Sequence, residues 1–236
     1  MALVISCAFA TSLATPDHIV LAERLGYRRA WCYDSPALYP DVWMMLNEAA
    51  ARTSRIELGP GVLIPSLRHP MVNAAAIATL AARAPDRVVV GVGAGFTGRL
   101  TLGQRPLPWR FVEQYITMLR GLLRGEQVEW EGAVMQMLHP PGYAVARPLE
   151  VPILVGAGGP KGFAVARAVG DGVITVGPIP PQGEFAWAAQ FWAGTVLEPG
   201  EDPGSERVLA AAGHVAGLTY HARYTRRGGE ALATLP

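Results

Sequence analysis

Val88-Val89-Val90-Gly91-Val92-Gly93-Ala94-Gly95 is the stretch that decides the fold class. Three consecutive valines followed by a fourth mark a strand buried on both faces, as in a parallel sheet covered by helices. The glycines at its carboxyl end mark the loop where such a sheet meets its ligand. The same alternation of short β-rich runs and longer helical patterns extends in both directions. Upstream, strands are expected at Leu3–Phe9, Arg29–Tyr33 and Ile56–Val62. Helices are expected at Asp17–Leu25, at Asp41–Thr53 with Asp41 as N-cap, and at Met71–Arg83 after Pro70. Downstream come a helix at Phe111–Leu123 and a hairpin of Val128–Glu131 and Val134–Met137 around Gly132. Strands then follow at Ile153–Val155, Val173–Val176 and Arg207–Ala212, with helices at Pro160–Val169, Phe185–Val196 and Val215–Tyr224. Repeated strand–helix units imply parallel strands with right-handed crossovers. Two architectures compete, an open doubly wound sheet and an eight-stranded barrel.

The composition bounds the function. Of 236 residues, half are hydrophobic and 17% are charged, the opposite of a disordered chain. One domain over 1–236 is expected from this length. A net charge of +1 leaves no nucleic-acid or acidic-lipid footprint. Two cysteines, Cys7 and Cys32, sit in apolar runs and point to a reducing compartment, hence the cytoplasm. The apolar start of the chain has no basic region before it, so it is read as a strand and not as a signal peptide. No run is long and apolar enough to suggest a transmembrane helix.

Ligand-facing residues are sought just after each strand. After Ile153–Val155 comes Gly156-Ala157-Gly158-Gly159-Pro160-Lys161, and a helix opens at once. Free backbone N–H groups and the positive helix end make an anion site there, with close approach allowed by Gly158 and Gly159. Lys161, the sole lysine of the chain, could add a point charge. The alternative is a plain tight turn. Gly93-Ala94-Gly95-Phe96-Thr97-Gly98 has dinucleotide-type glycine spacing, but Gly103, Pro106 and Pro108 follow where that fold needs a helix. Its other readings are a loop that lets a flat ring approach, or a glycine-rich turn without a ligand. Asp34, after the second strand, is a site carboxylate or a turn carboxylate bonding its own loop. Arg68 and His69 open a helix as cap and packing residues or as a catalytic pair. Trp43, Met44 and Met45 are read as core. His214 follows a predicted strand and could face the mouth, whereas a metal pair with His221 has the wrong spacing. No Gly-x-Ser-x-Gly elbow is present.

From about Gly26 to Gly177 the chain resembles the luciferase-like monooxygenase superfamily, in particular its deazaflavin branch around methylenetetrahydromethanopterin reductase. The resemblance is carried by Gly26-Tyr27 with Trp31 and Asp34, by Ile56–Val62, by Arg68-His69-Pro70 and by Asp86-Arg87 with Gly91–Gly95. It continues through Leu119–Glu126, Pro152–Pro160 and Asp171–Ile174. No single motif is specific; their order and spacing together are.

The resemblance implies a TIM (β/α)8 barrel with a hairpin insertion after the fourth βα unit, at about 99–150, and with the family's last strand and helix absent from the chain. It implies F420, or alternatively FMN, lying across the barrel mouth. Its phosphate would rest on Ala157, Gly158, Gly159, Pro160 and Lys161. Its ring would lie against Gly61, Val62, Gly93, Ala94, Gly95, Val176 and Gly177, with a cis peptide at Gly61–Val62. Arg68, Arg99, Arg105 and Lys161 would favour the anionic tail of F420. Asp34 matches the family's acidic residue, and Asp34 with His214 are the catalytic candidates. Ser35 and Phe96 stand where sugar-phosphate dehydrogenases carry His and Glu, which disfavours that substrate. The expected function is a flavin- or F420-dependent oxidoreductase acting on a small molecule by hydride transfer. The rivals are an FMN monooxygenase, a cofactor-free hydrolase or lyase, and a non-catalytic phosphate-binding barrel. A homodimer is expected from the apolar helices after the second and third strands.

Overall fold

The computed structural model describes residues 3–177, 179–181, 183–213, 215–217, 220, 223–224 and 228–229. The chain divides into two compact units, Met1–Gln190 and Phe191–Pro236.

The first unit carries strands β1 (Cys7–Phe9), β2 (Arg29–Cys32), β3 (Glu57–Pro60), β4 (Val90–Gly93), β5 (Val128–Trp130), β6 (Ala133–Met135), β7 (Ile153–Gly156), β8 (Gly172–Thr175) and β9 (Ala188–Gln190). Parallel ladders join β1 to β2 to β3, and β4 to β7 to β8 to β9. Parallel bridges Leu58–Val88 and Leu63–Val92 close the gap between β3 and β4. Among the described residues, seven parallel strands thus follow one another in chain order. A doubly wound sheet reverses its order at a switch point; this sheet does not, and that choice lay beyond the residue pattern alone. Hairpin β5–β6 is antiparallel, as its turn residues foretold.

The helices of this unit are α1 (Thr15–Arg24), α2 (Val42–Arg52), α3 (Pro70–Arg83), the single turn α4 (Thr97–Leu100), α5 (Trp109–Arg124) and α6 (Pro160–Val169). α1, α2, α3, α5 and α6 pack each against the next. Local chemistry sets their ends. The Asp41 carboxylate accepts from the Trp43 and Met44 amides at 2.9 and 3.2 Å, which starts α2. Gly125, at φ +82°, ends α5 in the left-handed conformation glycine adopts without cost. Val112, Tyr115, Ile116, Leu119, Leu122 and Leu123 bury one face of α5 at helical spacing. β2, β4 and β8 are buried along their whole length.

Five expectations are corrected. Only Cys7–Phe9 of the Leu3–Phe9 run is a strand; Leu3, Val4 and Ile5 are exposed. Phe185–Val196 is not a helix, because Ala188–Gln190 pairs in register with β8 and ladder pairing outweighs the helix preference of alanine. Arg207–Ala212 is not a strand. It lies in the second unit as α7 (Glu206–Ala212), started by the Ser205 Oγ that accepts from the Val208 amide at 3.3 Å. The seventh parallel strand is therefore β9, not a strand at Arg207. Met44 is not core; it faces outward from α2 at 69% exposure. The expected helix Val215–Tyr224 falls partly outside the described residues, as do His214 and His221.

Candidate active site at the carboxyl ends of the strands

Between the Leu58–Val88 and Leu63–Val92 bridges, the β3 side advances five residues while the β4 side advances four. The extra residue makes a bulge. The Gly61–Val62 peptide inside it is cis. The Gly61 amide donates to the Cys32 carbonyl at 2.8 Å, and the Leu63 amide to the Gly91 carbonyl at 2.7 Å. The bulge aims the Val62 side chain at β4 and β7. A Cβ added to Gly91, Gly93 or Gly156 would lie 3.0, 2.8 or 2.9 Å from a Val62 methyl group. These glycines keep clear the space that Val62 fills. Gly95, at φ +76°, and Gly98 do the same for Ile64: a Cβ there would lie 2.7 or 2.5 Å from its methyl groups. The dinucleotide-like spacing of Gly93, Gly95 and Gly98 is thus a packing pattern, and it opens only the single turn α4. Ala94, between two of these glycines, is half-buried. Sequence reasoning missed the pairing of these glycines with Val62 and Ile64, since neither partner is near them in the chain.

Four residues beyond Gly156 the chain enters α6 at Pro160. The Ala157 amide donates to the Ile174 carbonyl at 2.8 Å and fixes the turn. A Cβ on Gly158 or Gly159 would meet nothing within 4 Å. No side chain caps α6; Gly159 is its extended N-cap and Pro160 lies in its first turn. Pro160 has no N–H to satisfy, and the amides of Lys161 and Gly162 carry no side-chain cap, with the helix dipole behind them. Lys161 is exposed. Gly162, by contrast, is buried against Trp109 of α5, where a Cβ would lie 2.6 Å from the indole. At the end of β8, Val176 is 83% exposed, and the Gly177 amide donates to Thr175 Oγ1 at 3.0 Å.

Asp34 is buried. Both its carboxylate oxygens accept from Arg68 Nη1, at 2.9 and 2.8 Å, and Arg68 Nη2 reaches Asp41 Oδ2 at 2.7 Å. Burial pushes the Asp34 carboxyl up from its ordinary value, and Arg68 with the Ile64 amide pulls it part of the way back. On Arg68, burial works against the charge, but Asp34 and Asp41 outweigh it and hold the guanidinium more firmly charged. Arg68 is thus spent on two carboxylates, not offered to an outside anion. Arg99 bonds Ser66 Oγ and donates to the Arg105 carbonyl at 2.6 Å. His69 caps α3, accepting from the Met71 amide at Nδ1 (3.2 Å). The Arg68–Asp34 pair was visible in the sequence only as two separate candidates. Burial pushes the thiols of Cys7 and Cys32 up to about 11 and about 12, so both are inert at neutral pH.

The arrangement comprises Val62 packed on the glycines of β4 and β7, the Asp34–Arg68–Asp41 ion cluster, and the uncapped N-terminus of α6. The luciferase-like monooxygenase family profile matches residues 13–225. The chain is 34% identical over 181 residues to an F420-dependent glucose-6-phosphate dehydrogenase of Microbacterium testaceum, covering 70% of this chain and 53% of that protein. It is 30% identical over 174 residues to a 5,10-methylenetetrahydromethanopterin reductase of Archaeoglobus fulgidus, covering 72% and 51%. Among solved structures, the oxygenating constituent of 3,6-diketocamphane monooxygenase from Pseudomonas putida, a type II Baeyer–Villiger monooxygenase in complex with FMN, matches with a TM-score of 0.60 and 15% identity. That match covers 75% of this chain and 59% of that one. The chain spans about half the length of the curated relatives it matches. With this profile match over most of its length and the parallel strand order above, the chain belongs to the luciferase-like monooxygenase family and has that family's TIM-barrel fold.

Proposed function

We propose that this chain is an F420-dependent oxidoreductase that acts on a small organic substrate by hydride transfer at the barrel mouth. The observation that carries the reading is the open, uncapped cradle at Gly158 and Gly159, reached two residues after the glycine on which Val62 packs. Two relatives at 30% identity or more support it, one named as F420-dependent and one as a methylenetetrahydromethanopterin reductase.

The residues fit such a cofactor. The cradle has room for a phosphate where no protein atom would meet even a Cβ. In this reading Ala157, Gly158, Gly159, Pro160 and Lys161 hold the phosphate. Gly61 and Val62, with Gly93, Ala94 and Gly95 beside them, support one ring face, and Val176 and Gly177 border it. A bound deazaflavin supplies the two-electron hydride chemistry, and the protein supplies position and a dry surface. In this reading Asp34 is a candidate catalytic carboxylate. Its carboxylate is shielded from solvent and bound to Arg68, so it holds the mouth in shape. His214 is retained as the other candidate catalytic group, outside the described residues. Glucose 6-phosphate is the disfavoured substrate, because Ser35 and Phe96 replace the His and Glu expected of that branch.

FMN-dependent monooxygenation is the second reading, since the same cradle would take the phosphate of FMN. The reading also includes one barrel domain with an insertion at about 99–150, and a homodimer. Met44 on α2 and Val72 on α3 leave apolar surface uncovered that a second copy would bury. It places the protein in the cytoplasm. Among the described residues no helix is long and apolar enough to cross a membrane.

The test is a fluorescence titration of the purified protein with F420 and with FMN, repeated on Gly158→Asp. Micromolar binding of F420 that the variant loses supports the reading. Preference for FMN moves the chain to the second one. Binding of neither by the wild type overturns both. The added carboxylate meets no protein atom at its Cβ, so the variant reports on the ligand and not on folding.

A further inference from the structure

Three polar side chains from three different helices form one buried chain of hydrogen bonds. Trp43 Nε1 on α2 donates to Asn73 Oδ1 on α3 at 2.9 Å. Asn73 Nδ2 donates to the Tyr115 hydroxyl on α5 at 2.7 Å. The Tyr115 hydroxyl donates to the Arg68 main-chain carbonyl at 2.9 Å. Asn73 and Tyr115 are fully buried. Buried polar groups are costly unless every bond is made, and apolar side chains could fill the same volume. The chain ends on a single atom, the carbonyl at which the mouth loop turns into α3.

We propose that Asn73 and Tyr115 are positioning residues for the barrel mouth, which they hold through Arg68. The inference rests on the reading that the mouth is the cofactor site. Residue 68 is gripped from both sides, by Tyr115 at its carbonyl and by Asp34 and Asp41 at its guanidinium. Four residues upstream, the Ile64 amide makes a long bond to Asp34 at 3.4 Å, and its carbonyl accepts from the Leu67 amide at 3.0 Å, within the same segment. Its position is therefore set between Leu63, whose amide and carbonyl bond Gly91 and Gly93 on β4, and the turn that leads to the anchored Arg68. Gly95 and Gly98 pack directly on the Ile64 side chain. The placement of Ile64 thus sets the loop between β4 and α4 as well, so the hydroxyl of Tyr115, through the mouth loop that it bonds, acts on a second one that it does not touch.

Tyr115→Phe isolates the effect, because the ring keeps its edge-to-face contact with Trp130 at 5.8 Å between centroids. Backbone hydrogen exchange is followed in Tyr115→Phe, in Asn73→Ala, and in Leu122→Ala as a control that weakens the same helix without touching the chain of bonds. In Tyr115→Phe, exchange in segments 62–68 and 94–100 should quicken about tenfold, while 153–175 keeps its wild-type rate. Leu122→Ala should quicken exchange broadly, without favouring those two segments. The Kd for whichever of F420 or FMN the wild type binds should rise about tenfold in Tyr115→Phe. Wild-type rates in 62–68 and 94–100 of Tyr115→Phe, or a rise no larger than elsewhere, would overturn the proposal. Should the wild type bind neither cofactor, the functional reading fails, and the exchange rates still decide whether Tyr115 holds the two loops.

Discussion

A single nitrogen of Arg68, Nη1, holds both carboxylate oxygens of Asp34, the carboxylate buried and the guanidinium half-buried, between the segments that follow β2 and β3. Removing one partner of such a pair leaves an uncompensated charge. Arg68→Ala should therefore cost about 3–5 kcal/mol in urea unfolding at pH 8. Arg68 is what restrains the upward push of burial on the Asp34 carboxyl. Without it the folded-state pKa rises further above the unfolded one, so the folded variant takes up a proton as the pH falls. The deficit relative to wild type should shrink between pH 8 and pH 5. A deficit that stays constant or grows would refute this account.

Glu23 ties α1 to the start of β3. Its Oε1 accepts from the amides of Ser54, Arg55 and Ile56 at 2.9, 2.7 and 2.9 Å. Partial burial pushes the carboxyl up, but the three amides outweigh it and hold it below the ordinary value. A depressed pKa contributes stability that is present above the unfolded value near 4.5 and is lost as the pH falls through the folded one. Glu23→Ala should cost about 1 kcal/mol at pH 7, at the low end because the group is partly solvated. The gap from wild type should close towards pH 3, which denaturation curves at several pH values measure.

Gly156 and Val62 compete for the same space. Gly156→Ala should cost about 1–3 kcal/mol, the usual penalty for overpacking. Val62→Ala should restore much of that loss in the double variant, giving a favourable coupling in a double-mutant cycle. Gly158→Ala, with open space around it, should leave stability within about 0.5 kcal/mol of wild type. Equal losses at Gly156 and Gly158 would show that crowding by Val62 is not the cause.

Met44 and Val72 supply the test of the proposed homodimer. Met44→Glu should convert a dimer to monomers in sedimentation velocity without lowering the melting temperature of the monomer, since the side chain already faces solvent. A wild type that is monomeric at high concentration removes this part of the proposal.

Elements whose signals are local were legible from the residues. The valine run of β4, the Asp41 cap, Pro160 at the start of α6 and Gly125 after α5 act through neighbours within a turn or two. The glycine turn that opens α6 without a side-chain cap was legible for the same reason, because helix-end chemistry is set by adjacent amides. The ladder that makes Ala188–Gln190 a strand was not legible, since its partner β8 is met only in the folded sheet. At Ser205 the cap was local, yet the apolar residues that follow suit a strand as well as a helix.

Tertiary structure alone decided the barrel order of the strands and the duties of single side chains. Asp34 and Arg68 stand 34 residues apart, and Tyr115 and Arg68 stand 47 apart. Folding joins the first pair, two separate candidates in the sequence, into one ion cluster. Long-range packing sets Val62 against Gly91, Gly93 and Gly156, a pairing that no spacing in the chain shows. Periodicity and punctuation are properties of neighbours in the chain, whereas exposure, ion pairing and free volume exist only once distant segments meet.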